Sequence, residues 1–236
     1  MPDWLTARPY AHRGLHGAGL AENSRGAFEA AIAKGFGIEM DVRPARCGTP
    51  FVFHDETLER LCGRDGRFGD LEQHDAGKLV FKEGGETVPS LSDALALIAG
   101  RAPVLVEVKS GRALNRRFLG KLVHVLHRYR GPLAVMSFDP RIIRWISENA
   151  PELVRGLVMS EEGKSKFKGL IEPRVAVRLG RPDFLAYDIR SLPSPFAASM
   201  RSQGLAILTW TVRTNAQAGI ARRHADQIIH EWVGAA

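Results

Sequence analysis

Short apolar or β-branched runs alternate with amphipathic stretches along almost all of the 236 residues. That alternation limits the fold more than any other feature, because repeated βα units build parallel sheets. Strand-like runs fall at 9–12, 38–42, 104–109, 133–136, 153–158, 184–187, 206–210 and 227–230, with helix-like segments between them. Ser24 is a natural N-cap for a helix through Lys34, with Ala27, Phe28, Ala31 and Ile32 on one side and Gly35 placed to end it. A helix over 91–99 follows later. Residues 114–129 carry an apolar stripe of Leu114, Phe118, Leu122, Val125, Leu126 and Tyr129. Pro140 opens a helix over 140–149, and Pro173 interrupts a weaker one over 162–179. Eight such units in a chain of this length are the scale of a (β/α)8 TIM barrel. A doubly wound open sheet is the alternative.

The rhythm breaks between 55 and 89, after a short extended run at 51–53. The stretch holds Gly63, Gly66, Gly69, Gly77, Gly84 and Gly85, many charges and little periodicity. It is expected to be a small insertion after the second strand of a single domain spanning 1–236, not a domain of its own.

Two cysteines, Cys47 and Cys62, are too few for a disulfide framework. No apolar run approaches the ~18 residues of a membrane span, and residues 1–8 contain no apolar leader core. A cytoplasmic protein without a transmembrane segment is expected. The net charge of +7 favours anionic partners, whether phosphate esters, anionic lipid or nucleic acid, without choosing among them.

Within the second strand, side-chain alternation puts Glu39 and Asp41 on one face and Ile38, Met40 and Val42 on the other. Two carboxylates side by side are poor core material. A divalent cation with oxygen ligands explains them, and a solvated strand edge is the plainer account. In a TIM barrel the site forms at the C-terminal strand ends. His12-Arg13, Glu39 and Asp41, His54, Glu107 and Lys109, and Trp210 all fall at such ends. Together they suit metal-assisted attack on a phosphate ester. Glu39, Asp41 and Glu107 can hold one Ca²⁺ or Mg²⁺, which polarises a phosphoryl oxygen. Arg13 and Lys109 neutralise phosphate charge. His12 and His54 divide proton removal from proton delivery.

Ala11-His12-Arg13-Gly14, Glu22-Asn23-Ser24, Gly37-Ile38-Glu39-Met40-Asp41-Val42 and His54-Asp55-Glu56-Thr57-Leu58-Glu59-Arg60 resemble the glycerophosphodiester phosphodiesterase family. Pro89-Ser90-Leu91, Glu107-Val108-Lys109, Ser137-Phe138 and Thr209-Trp210-Thr211-Val212 continue the resemblance in order, over essentially the whole chain. It implies a TIM barrel with an insertion after the second strand. It also implies one divalent cation on Glu39, Asp41 and Glu107, His12 and His54 as the acid–base pair, and Arg13 and Lys109 on the phosphate. The implied reaction is hydrolysis of a small glycerophosphodiester to sn-glycerol 3-phosphate and an alcohol, with water or the neighbouring glycerol hydroxyl as first nucleophile. The chain departs from the family pattern at Ser24, at Leu61-Cys62 after Arg60, and at His230-Glu231-Trp232-Val233, where Thr-Asp and then Pro are usual. The last departure bears on the final loop and on substrate choice.

Trp210 either lines the substrate pocket or fills the barrel mouth. Residues 14–19 are glycine-rich without nucleotide-loop spacing and read as an active-site loop. Arg112, Arg116, Arg117, Lys121, Arg128 and Arg130 read as a solvated helix face, with weak attraction to anionic lipid headgroups or nucleic acid as the sharper alternative. No specific nucleic-acid partner is expected. His16, His74, His124, His127, His224 and His230 match no catalytic pattern and read as surface or loop residues. Phospholipase D-type action on lysophospholipids or sphingomyelin is the enzymatic rival. A non-catalytic barrel that binds anionic ligands is the rival from another class.

Overall fold

The computed structural model describes all residues except Ser110, Arg112, 164–165 and 232–236, and leaves the side chains of 166–171 aside. Arg112 of the basic face and Trp232-Val233 of the closing motif therefore lie outside the described residues. The elements are β1 (Tyr10–Ala11), α1 (Arg25–Ala33), β2 (Gly37–Pro44), β3 (Pro50–Val52), α2 (Glu59–Cys62), α3 (Gln73–Ala76), α4 (Leu91–Ile98), β4 (Val104–Val108), α5 (Arg116–His127), β5 (Leu133–Ser137), α6 (Pro140–Asn149), β6 (Val154–Met159), α7 (Lys166–Gly180), β7 (Phe184–Asp188), α8 (Pro195–Ser202), β8 (Ala206–Val212), α9 (Asn215–His224) and β9 (Gln227–His230).

The parallel strands run in the order β1-β9-β8-β7-β6-β5-β4-β2, and β1 pairs with β2 to close the ring. This is an eight-stranded (β/α)8 barrel, and it excludes the open sheet. The run at 51–53 is not a further stave. β3 lies antiparallel on the C-terminal end of β2, with Val52 opposite Val42.

Parallel strands buried on both faces read as continuous apolar runs, and the polar exceptions mark the site. On β2, Ile38, Met40 and Val42 face outward into the layer shared with Phe28 of α1 and Leu95 of α4. On β4, Val104, Val106 and Val108 do the same. Leu105 faces inward with Tyr10, Met136, Phe184 and Leu208. Glu39, Asp41 and Glu107 thus occupy inward positions, and the register sets Asp41 opposite Glu107. Tyr10 and Leu5 close the opposite end, the Tyr10 hydroxyl donating to the Leu5 carbonyl at 3.1 Å. Gly37 is needed beside that ring, since a Cβ there would lie 2.5 Å from it.

Side-chain caps set the helix starts. Ser24, Ser90, Asn115, Asp139, Ser194 and Thr214 each accept from a backbone N–H in the first turn. The cap at Asn115 starts α5 two residues later than its apolar stripe suggests. Residues 55–89 are more ordered in plan than their composition indicates. Phe53 stacks on Phe68 and Phe81 at 4.6 and 6.2 Å, and Leu58, Leu61, Leu79 and Val88 complete a small core with α2 and α3. His230 also differs from expectation. It ends β9, is 1% exposed, and meets Phe36 edge-on at 4.8 Å.

Candidate active site

Glu39 and Asp41 are fully buried and Glu107 is nearly so. One oxygen from each lies within 4.8 Å of the others. Such a cluster repels itself, and two cations partly offset it. Lys109 places Nζ 2.7 Å from Asp41 Oδ1 and also contacts Glu107 Oε1. Arg13 places Nε 3.1 Å from Asp41 Oδ2. Its backbone N–H donates to Glu39 Oε2 at 3.0 Å, from a left-handed conformation (φ 59°) that side-chain-bearing residues rarely adopt. Asn23 donates Nδ2 to Asp41 Oδ2 at 2.9 Å and accepts the Asp41 N–H at 3.2 Å.

Two cations against three acids leave one negative charge in excess. Burial, and then repulsion from Asp41 and Glu107, push the Glu39 carboxyl well above its ordinary range. Burial also raises Glu107, with Lys109 opposing. Burial would raise Asp41 too, but Lys109 and Arg13 outweigh it and hold that group low. Glu39 Oε1 is buried with no hydrogen-bond partner among the described residues. An excess negative charge and an orphaned carboxylate oxygen in an all-oxygen donor set fit a hard divalent cation.

Both histidines border the same cavity of about 410 Å³, together with Arg13, Glu39, Glu107 and Lys109. Each is gripped at Nδ1 by a carboxylate. His12 Nδ1 is 2.5 Å from Glu231 Oε1, and His54 Nδ1 is 2.6 Å from Asp55 Oδ1. Each carboxylate is gripped in turn by an arginine. Arg213 Nε donates to Glu231 Oε2 at 2.7 Å, and Arg60 Nε donates to Asp55 Oδ2 at 2.6 Å. Those pairings hold Glu231 below the usual carboxylate range and Asp55 at about 2, against burial that would raise both. Ionised carboxylates only accept, so Nδ1 carries the proton in both rings. His12 Nε2 then points toward the acid cluster, 3.9 Å from Glu39 Oε2. Burial lowers both imidazoles below their ordinary value.

The structure brings all eight sequence-predicted site residues to this mouth. Trp210 lines the cavity, donates Nε1 to the Ala186 carbonyl at 2.9 Å, and meets Phe138 edge to face at 5.4 Å. Sequence reasoning missed the supporting set. Glu22 accepts from both Arg13 and Arg60, at 2.7 Å each, and so ties the segment after β3 to the acid cluster. Glu22, Asn23, Asp55 and Arg60 lie inside the quoted motifs, and that adjacency was the available signal. Glu231 sits in the motif that departs from the family pattern, so nothing pointed to it.

The model of the Glycerophosphoryl diester phosphodiesterase family matches residues 12–231, from His12 to Glu231. The chain belongs to that family. It is thus an enzyme of the phosphodiesterase class. A glycerophosphodiester phosphodiesterase of Caldanaerobacter subterraneus subsp. tengcongensis is 29% identical over 213 residues, covering 86% of this chain and 84% of that one. The solved glycerophosphodiester phosphodiesterase of Thermotoga maritima is 25% identical with a TM-score of 0.75, covering 94% of this chain and 93% of that one. An Oleispira antarctica phosphodiesterase, solved in complex with the product sn-glycerol-3-phosphate, shares the fold at 22% identity and a TM-score of 0.81, covering 94% and 92% of the two chains.

Proposed function

We propose that this phosphodiesterase hydrolyses small glycerophosphodiesters to sn-glycerol 3-phosphate and an alcohol, using His12 and His54 as its acid–base pair. The observation that carries this is the pair of carboxylate-anchored imidazoles beside one cluster of three buried acids. Glu39, Asp41 and Glu107 would hold Ca²⁺ or Mg²⁺, and either cation supplies Lewis-acid polarisation of a phosphoryl oxygen there. The chain's own groups do the rest. Arg13 and Lys109, at the cavity wall, take the non-bridging phosphate oxygens. One imidazole removes a proton from the nucleophile at Nε2, and the other delivers one from Nε2 to the leaving alkoxide. Glu231 and Asp55 hold the tautomer that makes Nε2 the working atom. Trp210 and Phe138 form the apolar wall against substrate carbons.

The chain acts as one catalytic unit over 1–236, with 55–89 as an insertion that presents Arg60. No helix among the described residues is long and apolar enough to cross a membrane. Both cysteines are free, which supports a cytoplasmic setting, and the substrate class proposed above fits a role in recycling deacylated phospholipids.

The test is release of sn-glycerol 3-phosphate from glycerophosphocholine and glycerophosphoinositol with Ca²⁺, Mg²⁺ or EDTA, beside His12→Ala and Glu39→Ala. Metal-dependent release abolished by both substitutions is expected. Release of choline from lysophosphatidylcholine in its place would move the assignment to lysophospholipids. Silence on every diester would leave only ligand binding.

A further inference from the structure

Two guanidiniums at the cavity are given no contact with the reacting phosphate above, although one of them, Arg213, braces Glu231 behind His12. Arg190, just after β7, donates Nη2 at 2.6 Å and Nε at 3.1 Å to the two carboxylate oxygens of Asp188, which also accepts from Ser160 Oγ at 2.8 Å. Arg213, just after β8, donates its backbone N–H to Gln217 Oε1 at 2.8 Å and, among the described residues, only Nε of its guanidinium, to Glu231 at 2.7 Å. Both arginines line the cavity that holds the acid cluster and the histidines.

In both pairs the acid lies behind and the cation in front. The Asp188 side chain is 1% exposed and that of Arg190 is 59% exposed. Glu231 is 21% exposed and Arg213 is 54% exposed. Each pair is neutral overall, yet its positive end is the end that solvent and ligand meet. Among the described residues, Nη1 of Arg190 and both Nη groups of Arg213 make no hydrogen bond and keep their N–H donors for a ligand, while the anchored edge fixes the fork. Glu162 adds an electrostatic pull on Arg190 but does not line the cavity.

The acids that line the cavity are Glu39, Glu107 and Asp188. Two belong to the metal cluster and the third is covered by Arg190. Among the described residues, no lining carboxylate is left to receive a cationic headgroup. Such a group would have only the rings of Phe138 and Trp210, beside two guanidiniums that repel it.

We propose that Arg190 and Arg213 form a second anion subsite, which selects glycerophosphodiesters whose leaving alcohol itself carries a phosphate. The subsite rests on the hydrolytic activity proposed above and names its substrate class. The second phosphate takes the Nη donors of both arginines. The diester phosphate sits on Arg13 and Lys109.

A matched pair of substrates isolates that charge. sn-Glycero-3-phosphoinositol 4-phosphate and sn-glycero-3-phosphoinositol differ only by the distal phosphate, and bis(glycero-3-phospho)glycerol presents the second phosphate as a diester. The expected kcat/KM favours the doubly phosphorylated substrates by about tenfold or more at low salt, the scale of one charge-assisted hydrogen bond. Salt should shrink that preference. Which of the two is favoured tells whether a monoester or a diester is read. Arg190→Gln and Arg213→Gln should each bring the ratio within the matched pair toward one. Arg213→Gln also loosens Glu231 and slows every substrate alike, so the ratio reports the subsite by itself. Equal kcat/KM across the matched pair, or a ratio unmoved by both substitutions, overturns the subsite while the activity stands. If no diester releases sn-glycerol 3-phosphate, the activity falls instead. Calorimetric titration with the matched pair then decides the subsite. Tighter binding of the 4-phosphate, lost in Arg190→Gln, supports it, and equal binding overturns it.

Discussion

Nδ1 of His12 and Oε1 of Glu231 lie 2.5 Å apart, across the seam where the first and last barrel strands meet. The carboxylate fixes which ring nitrogen faces the acid cluster, with Nε2 3.9 Å from Glu39 Oε2. It should therefore act on the chemical step more than on substrate binding. Glu231→Ala is expected to lower kcat by about 10- to 100-fold with little change in KM, less than the ~10²–10⁴ that a positioned acid–base group itself contributes. Glu231→Asp should recover part of the loss. ¹⁵N spectra of the His12 ring should show the Nδ1–H tautomer in the wild type and a mixture in Glu231→Ala. An equal loss in Glu231→Asp and Glu231→Ala, with unchanged spectra, would reduce Glu231 to a packing residue.

Asp55 makes the same contact to His54, and Arg60 holds it at about 2, below its ordinary 3.8. A carboxyl depressed on folding gives stability that is complete above its unfolded value and is lost as pH falls through its folded value. Acid unfolding of the wild type should therefore show an Asp55 contribution fading between about pH 4 and pH 2. Arg60→Met returns Asp55 toward the ordinary value and moves that loss to higher pH. Urea unfolding at pH 3 and pH 7 measures it. The two proteins should differ less in midpoint at pH 3, where part of the wild-type Asp55 contribution has already been lost.

Gly14 follows β1 with φ 78°, and a Cβ there would meet the Ala27 backbone at 2.9 Å. Gly14→Ala combines left-handed strain with a clash against the first turn of α1. A loss of about 1–3 kcal/mol is expected, which for a chain of this length lowers Tm by roughly 2–12 °C. Calorimetry checks it. An unchanged Tm would mean that the loop from β1 to α1 relaxes freely.

The barrel was legible because its signal is periodic. Leu105 and Glu107 point inward while Val104, Val106 and Val108 point outward, and that alternation is written directly in the residues. The acid cluster was legible for the same reason, since Glu39, Asp41 and Glu107 interrupt apolar runs. What escaped depends on contacts distant in sequence. Glu231 meets a residue 219 positions away, and Arg60 meets Glu22 across 38. The small core of 55–89 escaped because Phe53, Phe68 and Phe81 stack from irregular spacings that no strand or helix period predicts. His230 was misplaced because the packing of Phe36 against it is likewise non-local.

Glu39 is where folding and function pull in opposite directions. Its carboxyl is pushed well above the ordinary range by burial and by Asp41 and Glu107, so the folded protein resists ionising it. An acid raised on folding contributes stability at low pH that is lost as pH rises from the unfolded value toward the folded one. Metal-free protein at neutral pH therefore carries that cost, and Glu39→Gln removes it. The variant is expected to melt higher than the wild type in EDTA. Added Ca²⁺ or Mg²⁺ should stabilise the wild type by about 2.7 kcal/mol at a hundredfold excess over Kd, and so raise its Tm. It should raise the Tm of Glu39→Gln far less, because the orphaned Oε1 that would ligate the ion is gone. The order of stability between the two proteins would then reverse on adding metal. A wild-type Tm indifferent to both cations would leave the three acids without a ligand and the excess charge at Glu39 without a purpose.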